Sequence, residues 1–273
     1  LPPLLLHTFR KGDSSALASW ASTLERVGER TTYFNFTASH DGIGVTPVRG
    51  ILSNDEIDAL VQLAEDHGGF VSYKNNADGT RSPYELNITY FDAITDPVVT
   101  VQNPETAAAR FICSQAIMLA LVGVPGIYFH SLFGSRNWQA GAAQTGRSRT
   151  INREKLTVAQ LQSELADPTS LRHTVFTRYQ VLLNIRQSES AFHPLNSQKI
   201  HRLHPAVFAL ERGSSAETVL ALHNVTGERV EITLPDGKWL NLLNPLNLIN
   251  DQLYSGSIVL EAYQVAWLKI IVV

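Results

Sequence analysis

The stretch TTYFNFTASHDGIG, residues 31–44, decides the fold and contains the first candidate for chemistry. Its apolar part, Thr32–Thr37, is a short run of the kind that forms a buried strand. His40 and Asp41 follow shortly after it, and side chains at the carboxyl ends of parallel strands commonly face a ligand. Asp41 is therefore a candidate functional carboxylate. The alternatives are a turn aspartate that bonds its own backbone and a purely structural histidine at position 40.

Helices are predicted on both sides of this stretch. Apolar residues recur at helical spacing in five segments, and most of these segments begin with a helix N-terminal signal. Ser53 and Glu56 form a capping-box pair. The predicted helices start after Asp13, after Ser53, at Asn103-Pro104, over Thr157–Leu165 and at Asp167-Pro168.

A second short apolar run, Gly126–Phe133, is predicted as another buried strand. It follows the helix that starts at Asn103. Strand, loop and helix repeated in this order are typical of a parallel α/β fold. Two such units cannot close an eight-stranded barrel, which needs ~250 residues.

The pattern changes after about Asn196 to short strands separated by turns, which predicts a small antiparallel β-domain. Two domains are therefore predicted, residues 1–196 and residues 197–273. The predicted strands are Lys199–His204, Val207–Arg212, Thr218–Asn224, Val230–Leu234, Ser257–Tyr263 and Val265–Val272, with turns at Arg212-Gly213, Asp236-Gly237 and Asn244-Pro245.

Two further segments are candidates for binding. Lys74–Asn87 is predicted as a long polar loop with cations, amides and an aromatic residue, and such loops often carry binding residues. The alternative is a solvated loop without a ligand. Gly146–Arg153 contains three arginines, and arginine holds phosphate or carboxylate through two-pronged hydrogen bonds. Surface charge ahead of a helix is the alternative there.

Composition excludes several classes of protein. The net charge of −3 and the scattered basic residues argue against nucleic acid or an anionic membrane as partner. The single cysteine, Cys113, excludes an internal disulfide and a cysteine-rich zinc site and favours a reducing, cytoplasmic location. No apolar stretch is long enough for a membrane span. The start at Leu1 lacks a Met and does not resemble a signal peptide, so we expect further sequence upstream.

Four motifs in chain order resemble one family. Ser39–Gly44 resembles the fourth signature region of the α-amylase family, glycoside hydrolase family 13. The other three motifs resemble the sucrose phosphorylase branch of that family. Its loop after barrel strand seven is similar to Tyr84–Ala93, and its eighth strand is similar to Gly123–Tyr128. Its Arg-x-Ile-Asn-Arg motif is similar to Arg149–Arg153. The resemblance covers essentially the whole chain. It implies an α/β fold, the C-terminal part of a (β/α)₈ barrel followed by a small antiparallel β-domain.

The resemblance also implies a function. It is that of a retaining glycoside phosphorylase, which cleaves an α-glucoside with inorganic phosphate to give α-glucose 1-phosphate, without a cofactor or a metal. Asp41 would be the carboxylate that stabilises the transition state, and His40 would bind the same sugar. Arg149 and Tyr84 would help to hold phosphate or the acceptor. The catalytic nucleophile and the acid/base are expected upstream of Leu1.

The acceptor segment departs from the sucrose phosphorylases. Those enzymes have a sequence similar to Leu-Asp-Leu-Tyr-Gln at the position where this chain has Arg81-Ser82-Pro83-Tyr84-Glu85. The segment is more similar to glucosylglycerate phosphorylases. Arg81 and Glu85 are therefore counted among the substrate-binding residues, and the cationic segment favours an anionic acceptor, glycerate first and sucrose 6′-phosphate second.

Two alternatives to the phosphorylase remain open. One is a hydrolase or transglucosidase of the same family, and the other is a non-catalytic sugar-binding fragment. Because part of a barrel exposes strand edges and apolar faces, the chain is expected to pair with the missing N-terminal half or with a second copy. It is not expected to transfer glucosyl groups by itself.

Overall fold

The computed structural model describes residues 1–25, 27–243 and 253–271. The chain forms two compact units. The first unit comprises Leu1–Arg10, Phe36–Phe111 and Ile127–Thr177, and the second comprises Lys11–Asn35, Ile112–Gly126 and Arg178–Val273. The domain boundary between residues 196 and 197 stays a prediction.

In the described residues, helices and strands are interspersed up to α10, and strands predominate after it. The α-helices are α1 Pro2–Lys11, α2 Ser15–Ala21, α3 Asn54–Asp66, α4 Tyr90–Ile94, α5 Pro97–Gln102, α6 Pro104–Ala120, α7 Phe129–Leu132, α8 Gln139–Thr145, α9 Val158–Ala166 and α10 Leu171–Ser188. Short 3₁₀ helices span Thr46–Val48, Ser148–Asn152, Ser190–Phe192 and Ser215–Glu217. The strands are β1 Phe34–Asn35, β2 Ile43–Gly44, β3 Phe70–Asn75, β4 Arg81–Asn87, β5 Val124–Pro125, β6 Gln198–His204, β7 Val207–Arg212, β8 Val219–Asn224, β9 Val230–Thr233, β10 Lys238–Asn241, β11 Leu253–Tyr254, β12 Ser257–Leu260 and β13 Val265–Ile271.

The capping signals place most helix starts correctly. Ser53 accepts a hydrogen bond from the Glu56 amide at 3.3 Å, and the Ser53 amide donates to the Glu56 carboxylate at 2.9 Å. This capping box satisfies two of the unpaired N–H groups at the start of α3. Asn103 accepts from the amide of Thr106 at 3.1 Å at the start of α6. The predicted starts of α2, α3, α6 and α9 are thus confirmed to within two residues.

The predicted start of the last helix is wrong by a few residues. The Asp167 carboxylate accepts from both the amide and the hydroxyl of Thr169, which closes a turn. Ser170 then accepts from the amide of Arg172 at 3.1 Å, and α10 begins at Leu171. Aspartate followed by proline is compatible with a turn as well as with a helix start, and here the turn forms.

One apolar segment and one polar segment form elements other than the predicted ones. In the predicted strand Gly126–Phe133, residues Phe129–Leu132 form the short helix α7, while β5 lies just before the run at Val124–Pro125. Periodicity cannot separate a strand from a helix in a run this short. The parallel pairing expected of an α/β fold is nevertheless present, because β1 pairs with β5 through Phe34–Val124 and Asn35–Pro125.

The predicted loop Lys74–Asn87 is instead most of a β-hairpin. Strands β3 and β4 pair in antiparallel fashion, and β2 pairs with the other edge of β4, so the first unit contains a three-stranded sheet of order β2-β4-β3. The hairpin tip contains Gly79 at φ 83°, a conformation that suits glycine. The polar composition reflects an exposed hairpin whose last residues, Glu85–Asn87, are buried.

The second unit contains the predicted antiparallel strands. Four of them form a six-stranded sheet of order β11-β10-β13-β8-β7-β6 together with β10 and β11, which the sequence analysis does not predict, and β9 pairs with β12 in a two-stranded sheet. Alternating apolar side chains from these strands pack into one core that includes Leu220, Leu260 and Trp239. The predicted strands match within three residues. The predicted turn Asn244-Pro245 and the predicted last strand residue, Val272, lie outside the described residues.

Two properties of the described residues bear on the class of the protein. Within residues 1–25, 27–243 and 253–271, helices of sufficient length and apolarity to traverse a membrane do not occur. In the same residues, His, Cys, Asp and Glu side chains do not gather in groups of three that could hold a metal ion.

Candidate active site

Asp41 lies in the short connection before β2 and faces two arginines. Its Oδ1 is 3.2 Å from Arg149 Nη1 and 3.1 Å from Arg153 Nη2. The Asp41 backbone N–H donates to Ser39 Oγ at 3.1 Å. The carboxylate thus contacts the arginine-bearing segment rather than capping its own turn.

The second oxygen of Asp41 is more open. Asp41 Oδ2 lies 3.6 Å from Nε2 of His40, whose side chain is 69% exposed. A carboxylate can accept about four hydrogen bonds in total. Because both arginines contact Oδ1, Oδ2 and the neighbouring imidazole can meet hydroxyl groups of a ligand.

Glu85 is the buried carboxylate of the site, with 4% of its surface exposed. Its Oε1 accepts from the backbone N–H of Gly42 at 2.9 Å. Its Oε2 accepts from Arg149 Nε at 3.0 Å and from Arg149 Nη2 at 2.9 Å. A buried charge is costly unless it is paired and hydrogen-bonded, and these bonds satisfy Glu85. In return, the Glu85 carboxylate raises the pKa of the Arg149 guanidinium.

A β-bulge brings two consecutive side chains to the same guanidinium. Ser72 pairs with Glu85 and Tyr73 pairs with Pro83, so Tyr84 has no partner on β3. The Tyr84 hydroxyl accepts from Arg149 Nη2 at 2.7 Å, next to the bonds that Glu85 accepts. In a regular strand, neighbouring side chains point to opposite faces. The extra residue of a bulge re-aims one of them.

The arginines come from the 3₁₀ helix Ser148–Asn152 and the residue after it. Thr150, Ile151 and Asn152 are buried and anchor this turn, while Arg149 and Arg153 remain partly exposed. Arg153 Nε also donates to the backbone carbonyl of His40 at 2.9 Å. The turn therefore holds both the side chain of Asp41 and the backbone before it.

Tyr128 fixes the end of the same turn. Its hydroxyl donates to the carbonyl oxygen of Asn152 at 2.8 Å. Burial raises the pKa of the Tyr128 phenol, against an opposing effect of Arg153. Tyr128 is therefore a neutral donor at neutral pH.

Most of the residues predicted from the sequence meet here, and one does not. Asp41, His40, Tyr84, Glu85 and Arg149 lie in one cluster of contacts. The guanidinium of Arg81 instead lies over the Tyr73 ring, 5.4 Å from its centroid, near the far end of β4. Its role in substrate binding stays a prediction.

Several residues of the site were missed by the sequence analysis. They are Tyr128, Asn152 and Arg153. Arg153 belongs to the same motif as Arg149, so the spacing of four residues could have indicated it. The contact of Tyr128 with Asn152 depends on tertiary structure alone.

The chain is similar in sequence to known phosphorylases. A search of protein-family models gave no match. The chain is 47% identical over 237 residues to the glucosylglycerate phosphorylase of Spirochaeta thermophila, and the aligned region covers 86% of this chain and 40% of that protein. It is 44% identical over 268 residues to the glucosylglycerate phosphorylase of Allomeiothermus silvanus, which covers 98% of this chain and 46% of that protein.

A solved structure shows the same fold. The crystal structure of sucrose 6F-phosphate phosphorylase from Thermoanaerobacter thermosaccharolyticum superposes with a TM-score of 0.66 at 19% identity, over 82% of this chain and 42% of that one. The predicted fold class, the C-terminal part of a (β/α)₈ barrel followed by an antiparallel β-domain, is confirmed. The chain spans less than half the length of these curated relatives. It is thus homologous to a segment of the glucosylglycerate phosphorylases.

Proposed function

We propose that the protein containing this chain is a retaining glycoside phosphorylase that converts glucosylglycerate and inorganic phosphate into α-glucose 1-phosphate and glycerate. The observation that carries this proposal is the arrangement around Asp41. One oxygen of its carboxylate is held by two arginines, and the other is open beside His40. The same segment is 47% identical to a glucosylglycerate phosphorylase.

Asp41 and His40 would bind the glucosyl group. A glycosyl transition state resembles an oxocarbenium ion, and a carboxylate that bonds the neighbouring hydroxyl groups binds it more tightly than the ground state. Arg149 and Arg153 fix the Asp41 carboxylate in advance through Oδ1. Such preorganisation avoids the cost of reorienting the charge during the reaction.

Arg149 is suited to hold the incoming phosphate. Its Nε and Nη2 donors are used by Glu85 and Tyr84, whereas Nη1 only lies against Asp41 at 3.2 Å. A guanidinium carries five N–H donors, so at least one on Nη1 remains for a ligand. Its side chain is 41% exposed, which makes that donor accessible.

The nucleophile and the acid/base would come from the part of the protein that this chain does not cover. In the first step the nucleophilic carboxylate bonds to the anomeric carbon, the glycosidic bond breaks, and glycerate leaves with the proton of the acid. In the second step a phosphate oxygen bonds to the same carbon, the bond from that carbon to the nucleophilic carboxylate breaks, and the conjugate base accepts the phosphate proton. The two inversions give α-glucose 1-phosphate from an α-glucoside. Asp41 stabilises charge in both steps and changes no covalent bond.

The remaining expectations belong to the same proposal. Residues 1–196 form the C-terminal part of the catalytic barrel, and residues 197–273 form the β-domain. The N-terminal half of the barrel is the partner that completes the site, and the enzyme acts in the cytoplasm with phosphate as its co-substrate and without a cofactor. The buried Cys113, the single cysteine of the sequence, suits a reducing compartment.

The acceptor is tested in the synthetic direction. The complete enzyme is supplied with α-glucose 1-phosphate and one of glycerate, fructose or fructose 6-phosphate, and released phosphate is measured. We expect turnover with glycerate, weaker turnover with fructose 6-phosphate and little with fructose, because the acceptor segment lacks the aspartate and glutamine of the sucrose phosphorylases. A preference for fructose would refute the anionic acceptor.

A further inference from the structure

We propose that Glu85 is a positioning residue that couples the Asp41 turn to Arg149, rather than a group that binds substrate. This inference rests on the proposed function, since it assigns to Glu85 the orientation of the phosphate-binding arginine.

The contacts of Glu85 leave it little capacity for a ligand. Both of its oxygens accept from protein donors, Oε1 from Gly42 and Oε2 from two nitrogens of Arg149. The residue is 4% exposed. A substrate could reach it only by breaking charge-assisted hydrogen bonds, which are the strong ones.

The Asp41 turn also packs directly on Glu85. A Cβ added at Gly42 would lie 2.7 Å from Glu85 Cγ and closer still to the carbonyl oxygen of Leu86. Glycine is therefore required at this position for the turn to reach the Glu85 carboxylate. The residue that follows Asp41 is thus fixed by the same carboxylate that fixes Arg149.

The orientation of Arg149 follows from this arrangement. Glu85 occupies the edge of the guanidinium formed by Nε and Nη2, which turns Nη1 towards Asp41. Without Glu85, Arg149 could pair with Asp41 through two nitrogens, the geometry that guanidinium and carboxylate prefer. That pairing would consume the donor proposed for phosphate and cover the carboxylate proposed for the sugar.

Glu85→Gln tests the coupling with little change of volume. A glutamine side chain has one acceptor oxygen, so it cannot serve both Gly42 and Arg149, and its NH₂ group opposes a donor in either orientation. We expect kcat/KM for phosphate to fall about tenfold, which corresponds to the loss of about one charge-assisted hydrogen bond. The matched control is Glu164→Gln, which removes a carboxylate that pairs with Arg172 on α10. The control should leave kcat/KM for phosphate unchanged.

A double-mutant cycle in the complete enzyme decides whether Glu85 acts through Arg149. If it does, Glu85→Gln should lower kcat/KM for phosphate by less than about twofold when Arg149 is replaced by Met. The same fold-change in both backgrounds would overturn the proposal. So would a fall in melting temperature with kcat/KM unchanged, which marks a structural role only, or a change confined to the KM for the acceptor.

Hydrogen exchange separates this inference from the proposed function. Should the wild-type enzyme turn over without phosphate, the phosphorylase proposal fails, and the coupling is judged from exchange of the amides in Ser39–Ile43. Glu85→Gln should speed that exchange about tenfold because the Gly42 N–H loses its charged acceptor, whereas Glu164→Gln should not. Equal exchange in the wild type and Glu85→Gln would refute the coupling.

Discussion

Gly42→Ala inserts a methyl group where the Asp41 turn packs on strand β4. The new Cβ would lie 2.4 Å from the carbonyl oxygen of Leu86 and 2.7 Å from Glu85 Cγ, whereas ordinary contact begins at 3.4 Å, so the turn and the strand must separate by 3.4 − 2.4 = 1.0 Å. The carbonyl oxygen of Leu86 belongs to the backbone and cannot rotate away. The same displacement stretches the 2.9 Å hydrogen bond from the Gly42 N–H to Glu85.

The two effects give an expected cost. Overpacking costs about 1–3 kcal/mol, and weakening a hydrogen bond to a charged acceptor costs about 1 kcal/mol or more. We therefore expect a loss of about 2–4 kcal/mol in the free energy of unfolding of the first unit. Because the displaced turn carries Asp41, kcat should fall at least tenfold, since a misplacement of about 1 Å can cost on the order of a hundredfold in rate.

Gly44→Ala is the matched control, two residues along the same segment. A Cβ at Gly44 meets only Pro47 Cδ at 3.9 Å, an ordinary contact. Its effect should be about 0.5 kcal/mol or less. The assay is thermal unfolding of the complete enzyme at a fixed scan rate together with kcat. Equal melting temperatures and equal kcat for the two variants would refute the packing argument.

Three further predictions follow from the same contacts. Asp41→Asn should lower kcat by roughly 10²–10³-fold with a small change in melting temperature. The control Asp55→Asn, at an exposed position, should change neither kcat nor the melting temperature. Comparable kcat in both variants would contradict the role of Asp41. Arg153→Lys should lower kcat about tenfold because one ammonium cannot replace contacts from two nitrogens to Asp41 and to the His40 carbonyl; an unchanged kcat would show that Arg149 alone holds Asp41. Burial lowers the pKa of His223 to about 4, below its usual value of about 6.5, so the unfolded state binds the proton first and stability should fall as pH drops from about 6.5 to 4. His223→Gln should flatten that dependence, and an identical slope in urea unfolding of wild type and variant would contradict it.

Local signals in the sequence predict those parts of the fold that local interactions determine. The Ser53–Glu56 capping box lies within four residues, and the structure contains both of its hydrogen bonds. Six of the eight strands described after Asn196 match closely because turn residues mark their ends, whereas the short strands β10 and β11 were not predicted. The start of α10 was misplaced because Asp167 can close a turn or cap a helix with the same side chain.

The candidate site was predictable only in part, because its contacts join distant segments. Motifs indicated Asp41 and Arg149, but the ion pair between them joins residues 108 positions apart. The buried state of Glu85 could not be predicted, since polar composition made Lys74–Asn87 resemble a solvated loop and concealed the hairpin. The bulge at Tyr84 depends on register between β3 and β4, which residue types alone do not specify.

The most direct test of the central claim is the phosphate dependence of glucosylglycerate cleavage by the complete enzyme. We predict that α-glucose 1-phosphate forms at a rate that saturates with inorganic phosphate, and that Arg149→Met lowers kcat/KM for phosphate at least tenfold. Release of free glucose at the same rate with and without phosphate would contradict the claim that Asp41 and Arg149 form a phosphorolytic site.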